Sequence, residues 1–186
     1  DGRSLFTILS PLPVSFLDRD ATRAAVTLPT RGSIHFVDET LDRISEQTGG
    51  FAWWIQCVCE TVRTAFLIPQ GRAIVTPHDV DRAAAVLLEQ REKFTDTFWN
   101  RFTNRPGFLV SVGALLNRQG DDVWAWVDTT HLPSEEVKEL VDSDVLIRDE
   151  DLKVRFSSLM LRTWLHRETT AAKSAHTTST AAWADS

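Results

Sequence analysis

The sequence predicts a mostly α-helical chain, in which a helical bundle is followed by a second helical module that carries a small β-hairpin. The first observation is that apolar residues recur with a helical period on both sides of Gly49-Gly50, over residues 38–66. The second is a pair of short apolar runs, 145–148 and 152–156, separated by the acidic link Asp149-Glu150-Asp151. That spacing is typical of a hairpin, so we expect a helical chain with one local sheet.

Composition and pattern divide the chain into four segments. Residues 1–9 contain the apolar run Leu5–Leu9, which we predict to be the terminal strand of a preceding α/β domain, since a lone strand is not stable without a sheet. Residues 10–90 are predicted to form the helical bundle and residues 91–168 the second module. Thr, Ala and Ser dominate residues 169–186, for which we expect a flexible tail.

Helix start and stop signals place the elements of the bundle. A short helix is predicted over residues 18–26, beginning at an Asp, and a second over residues 38–47, capped by Asp38 or the residue before it. Gly49-Gly50 ends the second helix, because glycine accepts the left-handed conformation of a helix C-terminus. The next helix is predicted over residues 52–66, and it starts with an apolar, Trp-rich face.

The last helix of the bundle has the clearest start signal. Thr76 suits the N-cap, Pro77 the first helical position and Asp79 the third. The apolar positions that follow continue to Leu88 with a helical period. The bundle is therefore predicted to end near residue 90.

The second module is predicted to contain four helices around the hairpin. We expect helices near residues 94–102, 108–117 and from Ser134, and a last helix capped by Ser157 or Ser158. Residues 123–127 fit either a short strand or a helical turn. Helix, helix, helix, hairpin, helix is the element order of a winged helix.

Several kinds of chemistry have no support in the sequence. No phosphate-binding Gly-rich loop followed by Lys and Ser or Thr is present, and we predict no catalytic residues. Cys57 and Cys59 would point to different sides of a helix, and the histidines are not spaced as metal ligands, so we predict no metal site. No apolar run is long enough for a membrane span. We expect a reduced, cytoplasmic chain.

Charge argues against direct DNA binding by the predicted winged helix. Between Arg118 and Asp151 the chain has eleven acidic and three basic residues. The link of the hairpin, Asp149-Glu150-Asp151, is also acidic, and such a surface repels phosphate. We therefore expect no nucleic-acid partner and favour a winged helix that contacts protein.

Short motifs give the chain a family resemblance over about residues 4–168. These motifs are Leu9-Ser10-Pro11-Leu12, Thr48-Gly49-Gly50 with Ile55-Gln56, Arg155 to Leu159, and Arg162-Thr163-Trp164-Leu165. In this order they resemble the lid plus winged-helix region of P-loop ATPases of the STAND and Orc-like AAA type. The P-loop domain itself is not part of the sequence.

The resemblance implies a nucleotide site. In the family, the lid folds over a nucleotide held by the P-loop domain, and the Gly-Gly turn and a following Pro approach the adenine. A His near the start of the last helix contacts the diphosphate in many members. For ATP or ADP held by a P-loop domain outside this segment, the implied contact residues are Thr48, Gly49, Gly50, Ser158 and Arg162.

Two positions depart from the family pattern. Ala52 stands where the family has the Pro, and Ser157 or Ser158 stands where it has the His. Nucleotide contact at the turn is still expected, because Thr48, Gly49 and Gly50 match. Sensing of the diphosphate by the winged helix is less well supported by the sequence.

The resemblance implies a regulatory segment of a STAND-type signalling ATPase. It would couple the nucleotide state of the P-loop domain to oligomerisation or effector exposure, by moving as a hinged body. The expected partners are the preceding P-loop domain, further copies of the parent protein and a protein effector. The alternatives are a winged-helix interaction or DNA-binding module of a transcription regulator, and a scaffold whose lid is inert.

Overall fold

A computed structural model describes residues 16–90 and 106–184 of the chain. The described part is mostly helical and has two sheets of two strands each, which confirms the predicted fold class at this level. The predicted strand Leu5–Leu9 and the predicted helix near residues 94–102 lie outside the described residues. Among the described helices, none combines the length and the apolar character that a membrane span requires.

The first half contains helices α1 (Arg19–Thr27), α2 (Asp38–Thr48), α3 (Ala52–Thr61), α4 (Ile68–Gln70) and α5 (Pro77–Glu89). The start signals of α1 and α5 act as predicted. The carboxylate of Asp18 accepts a hydrogen bond from the amide of Ala21 at 2.7 Å, and Thr76 and Asp79 form a reciprocal capping box at the start of α5. The starts of α1 and α5 were therefore readable from local sequence, whereas α2 begins after Val37 without a side-chain cap and α4 was not predicted as a helix.

Between α3 and α4 the helix changes its winding. Residues Val62–Leu67 form a π-helical segment, where the sequence predicted regular helix to residue 66. The wider turn allows Val62, Phe66 and Leu67 all to be buried, at 2%, 5% and 3% exposure. Burial of these three apolar side chains explains why the local helical period was not followed to its end.

A short parallel strand pair was not predicted. Strand β1 (His35–Phe36) lies beside β2 (Ile74–Val75), with His35 opposite Ile74 and Phe36 opposite Val75. Thr40 of α2 reinforces the pair, because its hydroxyl donates to the carbonyl of Val75 at 3.0 Å. Two-residue strands leave no periodic signal in a sequence, so this pairing depends on tertiary structure.

The second half consists of α6 (Pro106–Gln119), α7 (Ser134–Asp142), the hairpin strands β3 (Leu146–Arg148) and β4 (Val154–Phe156), and α8 (Leu159–Ala184). The predicted antiparallel hairpin is confirmed, with Leu146 opposite Phe156. Val127 exchanges two backbone hydrogen bonds with Val154, at 2.8 and 2.9 Å. Of residues 123–127, only Val127 is extended beside β4. Val123 and Trp124 lie in a turn, in which the amide of Ala125 donates to the carbonyl of Asp122 at 3.1 Å.

Helix α8 continues through the segment for which we expected a flexible tail. Thr169, the first residue of that segment, is buried, and its hydroxyl donates to the carbonyl of Leu165 at 2.9 Å. The helix continues to Ala184. The alanines of this segment favour the helix, because alanine has the highest helix propensity. Flexibility of the segment stays a prediction.

The two halves pack against each other through α2 and α8, and α5 also contacts α8. One apolar core extends across them. Its fully buried side chains include Ile44, Val58, Val80 and Leu87 in the first half and Leu115, Leu140, Met160 and Leu165 in the second. The start of α8 is thereby held against the end of α2, where the predicted site residues lie.

Candidate functional site

The Gly-Gly turn ends α2 as the sequence predicted. Gly49 and Gly50 both have positive φ, 61° and 80°, and the Gly49 amide donates to the carbonyl of Ser45 at 2.8 Å. The hydroxyl of Thr48 donates to the carbonyl of Ile44 at 2.7 Å and accepts from the amide of Gly50 at 3.3 Å. The predicted C-cap is confirmed, and the amides of both glycines are already engaged.

Gly49 is in close contact with the second half of the chain. A Cβ atom at this position would lie 2.4 Å from the carbonyl oxygen of Ser157 and 2.9 Å from the Cβ of Ser158. No side chain fits at those distances, so the backbone of the turn and the backbone before α8 touch directly. The turn is therefore a seam between the two halves as well as a helix end.

Gly50 is packed on the opposite side by the segment that leads into α1. Its carbonyl accepts a hydrogen bond from the amide of Leu17 at 2.8 Å, and a Cβ on Gly50 would lie 2.0 Å from the Leu17 carbonyl oxygen. Three chain segments meet at these two glycines. We call this junction of Leu17, Gly49, Gly50 and Ser157 the seam.

Ser158, one of the predicted site residues, lies at the seam but its hydroxyl has a structural role. It accepts a hydrogen bond from the amide of Leu161 at 3.0 Å and caps α8, and the residue is 4% exposed. The prediction that Ser157 or Ser158 caps the last helix is resolved in favour of Ser158. A ligand at the seam would meet the Ser158 hydroxyl only by displacing this cap.

Arg162 lies one turn further along α8 and contacts a different part of the molecule. Its Nε donates to Oε1 of Gln119 and a terminal nitrogen donates to the carbonyl of Gly120, both at 2.7 Å. Burial lowers the pKa of Arg162, and Asp121 partly offsets this. Arg162 therefore joins α8 to the end of α6, whereas Thr48, Gly49, Gly50 and Ser158 lie together at the seam.

A polar cleft of about 480 Å³ opens beside the seam. One wall comes from α1 and α2, and the other comes from the hairpin, from Ser157 after it and from Trp124 before α7. Its lining residues are Leu17, Arg19, Asp42, Ser45, Glu46, Gly49, Gly50, Trp124, Ile147, Arg155 and Ser157. Trp124, Arg155 and Ser157 were not predicted as site residues, and they bring the cleft an aromatic ring, a cation and a hydroxyl.

Arg155 packs against two tryptophans of the segment between α6 and α7. Its guanidinium carbon lies 5.4 Å from the ring centroid of Trp124 and 4.8 Å from that of Trp126. The bridge between Val127 and Val154 sets this register, because it brings the residues next to each in sequence together. The alternating pair Trp124 and Trp126 was the available signal, but the sequence did not reveal the Arg opposite it.

A second, apolar cavity of about 470 Å³ is lined by residues of α1, α3 and the π-helical segment. It is lined by Ala52, the residue at the family's Pro position, together with Leu17, Ile34, Phe36, Ile55 and Cys59 among others. Burial raises the pKa of the Cys59 thiol to about 11, so the thiol is protonated at neutral pH and is a poor nucleophile. The cavity lining is mainly apolar, and its polar side chains include Gln56, Glu60 and Arg63.

Within residues 16–90 and 106–184, no three His, Cys, Asp or Glu side chains come close enough to hold a metal ion. In α7 and the hairpin link, Glu135, Glu150 and Asp151 are exposed, which places acidic charge on that surface.

Compared with known proteins, the chain matches no protein-family model, and no curated protein matches it by sequence.

Proposed function

We propose that this chain is the regulatory segment of a STAND-type signalling ATPase, with a helical lid in its first half and a winged helix in its second. In this proposal it couples the nucleotide state of a P-loop domain to oligomerisation or to exposure of a protein effector. ATP or ADP is held by that domain, in a cytoplasmic protein. The segment itself carries no catalysis.

The contact between Gly49 and Ser157 is the observation that supports this proposal best. The Gly-Gly turn is the part of the lid expected to approach the nucleotide, and it touches the backbone that leads into α8. Because backbone packed on backbone has no side chain that can rearrange, a displacement of the turn is passed to α8. A shift at the nucleotide would therefore move the second half relative to the P-loop domain.

The polar groups at the seam determine which kind of contact a nucleotide could make there. The amides of Gly49 and Gly50 and the hydroxyl of Ser158 all have partners within the chain. A nucleotide would therefore meet these residues by packing rather than through their donors. Arg162, which bonds to Gln119 and Gly120, supports the fold of the second half and has no direct part in this proposal.

The alternative of a DNA-binding winged helix has weaker support. Helix α7, in the position of a recognition helix, exposes Glu135 and carries Glu136, Glu139 and Asp142. An acidic helix repels the phosphate backbone of DNA. A winged helix that contacts a protein is compatible with the same surface and with the proposed regulatory role.

Hydrogen exchange in a protein that contains both this segment and its P-loop domain tests the proposal. The amide of Leu17, which donates to Gly50 across the seam, reports on the seam. The amide of Gly71, which donates to Ile68 at a helix end facing open space, is the control. We expect the exchange rate at Leu17, but not at Gly71, to differ between the nucleotide-free, ADP-bound and ATP-analogue-bound proteins.

Size-exclusion chromatography with light scattering should show a change of oligomeric state under the same nucleotide conditions. Equal exchange at Leu17 in all three states, with bound nucleotide verified, would contradict the proposed coupling. An oligomeric state that is the same in all three nucleotide states would contradict the proposed effect on oligomerisation.

A further inference from the structure

The Arg155 side chain in the cleft beside the seam is a half-buried cation without an acceptor. Among the described residues, no carboxylate or carbonyl accepts a hydrogen bond from it, and its Nε is buried without a partner. By contrast, Arg19, Arg23, Arg43, Arg63 and Arg72 all contact carboxylates. In a chain with a net charge of −6, an unpaired and partly desolvated cation indicates a place for an external anion.

The two indole rings keep Arg155 in position. With its guanidinium over both Trp124 and Trp126, the side chain is held by cation–π contacts, which leave its hydrogen-bond donors unused. Such stacking orders a long side chain in advance of binding and so reduces the entropy lost on binding. The cation is therefore both available and positioned.

Ser157 adds a second donor to the same cleft. Its Oγ is buried and has no hydrogen-bond partner in the part of the chain that the structure describes. Ser157 also comes immediately before the Ser158 cap of α8, so the positive end of that helix dipole lies next to the cleft. The guanidinium and the helix N-terminus both favour a negatively charged ligand, and the hydroxyl can donate a hydrogen bond to it.

The other charges of the cleft are already neutralised. Asp42 contacts the guanidinium groups of Arg19 and Arg23, and Glu46 accepts from Arg43 at 2.8 Å. These carboxylates would repel an anion if they were free, but each has a cation beside it. Arg155 is thus the one charged side chain among the described lining residues that lacks an oppositely charged partner.

We propose that this cleft binds a small organic phosphate, with its phosphate held by Arg155 and Ser157 and its ring or apolar part against Trp124 and Ile147. A phosphate group accepts several hydrogen bonds at once, which matches the converging donors. The cleft volume of about 480 Å³ is larger than a bare phosphate needs and falls in the usual range of small-ligand pockets. This site does not depend on the P-loop domain of the proposed function.

The test titrates the 186-residue chain, labelled with ¹⁵N, with ADP, inorganic pyrophosphate and glucose 6-phosphate. Two controls contain no phosphate: adenosine, and sodium chloride at the same ionic strength. We expect the indole N–H signals of Trp124 and Trp126 to shift saturably with at least one phosphate and not with the controls. Saturation by ADP and pyrophosphate but not by glucose 6-phosphate would identify a diphosphate ligand, and saturation by all three would identify a site for a single terminal phosphate group.

Matched variants assign the binding to the proposed residues. Arg155→Gln should weaken phosphate binding about tenfold or more, because hydrogen bonds to a charged group are lost. Arg148→Gln removes an exposed cation from the neighbouring strand outside the cleft and should change affinity less than about twofold. Ser157→Ala should weaken binding by a smaller factor while keeping the fold.

Two results would overturn the proposal. One is that no phosphate shifts the two indole signals beyond the effect of sodium chloride. The other is that Arg155→Gln, verified as folded by circular dichroism, binds phosphate as tightly as the unchanged chain. Neither result bears on the proposed nucleotide coupling, which is measured at the Leu17 amide in the protein with its P-loop domain.

Discussion

Helices α2 and α4 both end at a glycine with positive φ, but the surroundings of the two glycines differ. α2 ends at Gly49 with φ 61°, and α4 ends at Gly71 with φ 60°. A Cβ at Gly71 would meet nothing within 4 Å, whereas one at Gly49 would lie 2.4 Å from the Ser157 carbonyl oxygen. Glycine at residue 71 satisfies a backbone conformation, and glycine at residue 49 also allows two chain segments to touch.

The two ends are also stabilised by different kinds of contact. Gly71 is followed by Arg72, whose guanidinium pairs with the buried carboxylate of Asp79 at 2.8 Å. Gly49 and Gly50 are instead held by backbone contacts with Leu17 and Ser157. One region therefore depends on an ion pair and the other on close packing of main chain, so mutation and pH should affect them differently.

The largest expected effect comes from adding one methyl group at each helix end. Gly71→Ala should lower the free energy of unfolding by about 1–2 kcal/mol, the cost of left-handed backbone in a residue with a Cβ. Gly49→Ala carries the same cost and an overlap with Ser157, for a total of about 2–5 kcal/mol. Urea denaturation of both variants measures the difference.

The φ values of these two glycines match within a degree, so Gly71→Ala is an internal control for the conformational cost. Equal destabilisation by the two substitutions would mean that the Ser157 backbone moves away easily. The seam would then transmit no displacement, which would also weaken the proposed coupling.

The second prediction addresses the ion pair beside Gly71. Asp79→Asn should lower the free energy of unfolding by about 2–3 kcal/mol, because the carboxylate is buried and bonded to Arg72 and Thr76. Glu89→Gln, which breaks the exposed pair with Arg167, should cost less than about 1 kcal/mol. A similar loss in both variants would show that burial adds nothing to the Arg72–Asp79 pair.

Acid should remove the contribution of Asp79. Burial alone would raise its pKa, but hydrogen bonds from Arg72 and Thr76 outweigh burial and hold the pKa below its usual value. The stabilisation is therefore complete above the pKa of the unfolded chain and is lost as pH falls through the lower folded pKa. Thermal unfolding between neutral and strongly acidic pH should show a smaller acid-induced loss in Asp79→Asn than in the unchanged chain.

The same comparison shows what sequence could and could not predict. Gly49 as a helix end was predictable, because the signal is a local backbone preference. Its contact with Ser157 was not, since the two residues are distant in sequence and a helix-end signal does not show which segment packs against it. The Thr76 cap and the hairpin are local too, and both were predicted correctly.

The parts of the candidate site that the sequence did not predict also depend on contacts between residues distant in sequence. Arg155 acquires its importance from the register that places it over Trp124 and Trp126, and register depends on the bridge between Val127 and Val154. The pair β1 and β2 likewise joins residues far apart in sequence. Arg162 was selected by motif, but its partners, Gln119 and Gly120, belong to another helix end.

The smallest expected effect distinguishes two adjacent serines at the seam. Ser158→Ala removes the cap of α8 and should lower the free energy of unfolding by about 1 kcal/mol. Ser157→Ala should change it by less than about 0.5 kcal/mol, because its buried hydroxyl has no described partner whose hydrogen bond would be lost. Thermal unfolding of the two variants under one condition measures both.

A larger loss in Ser157→Ala than in Ser158→Ala would mean that the Ser157 hydroxyl, and not main-chain packing, holds the seam. The close approach of Gly49 to the Ser157 carbonyl predicts the opposite order, since that contact uses only backbone atoms of Ser157, which the substitution leaves unchanged.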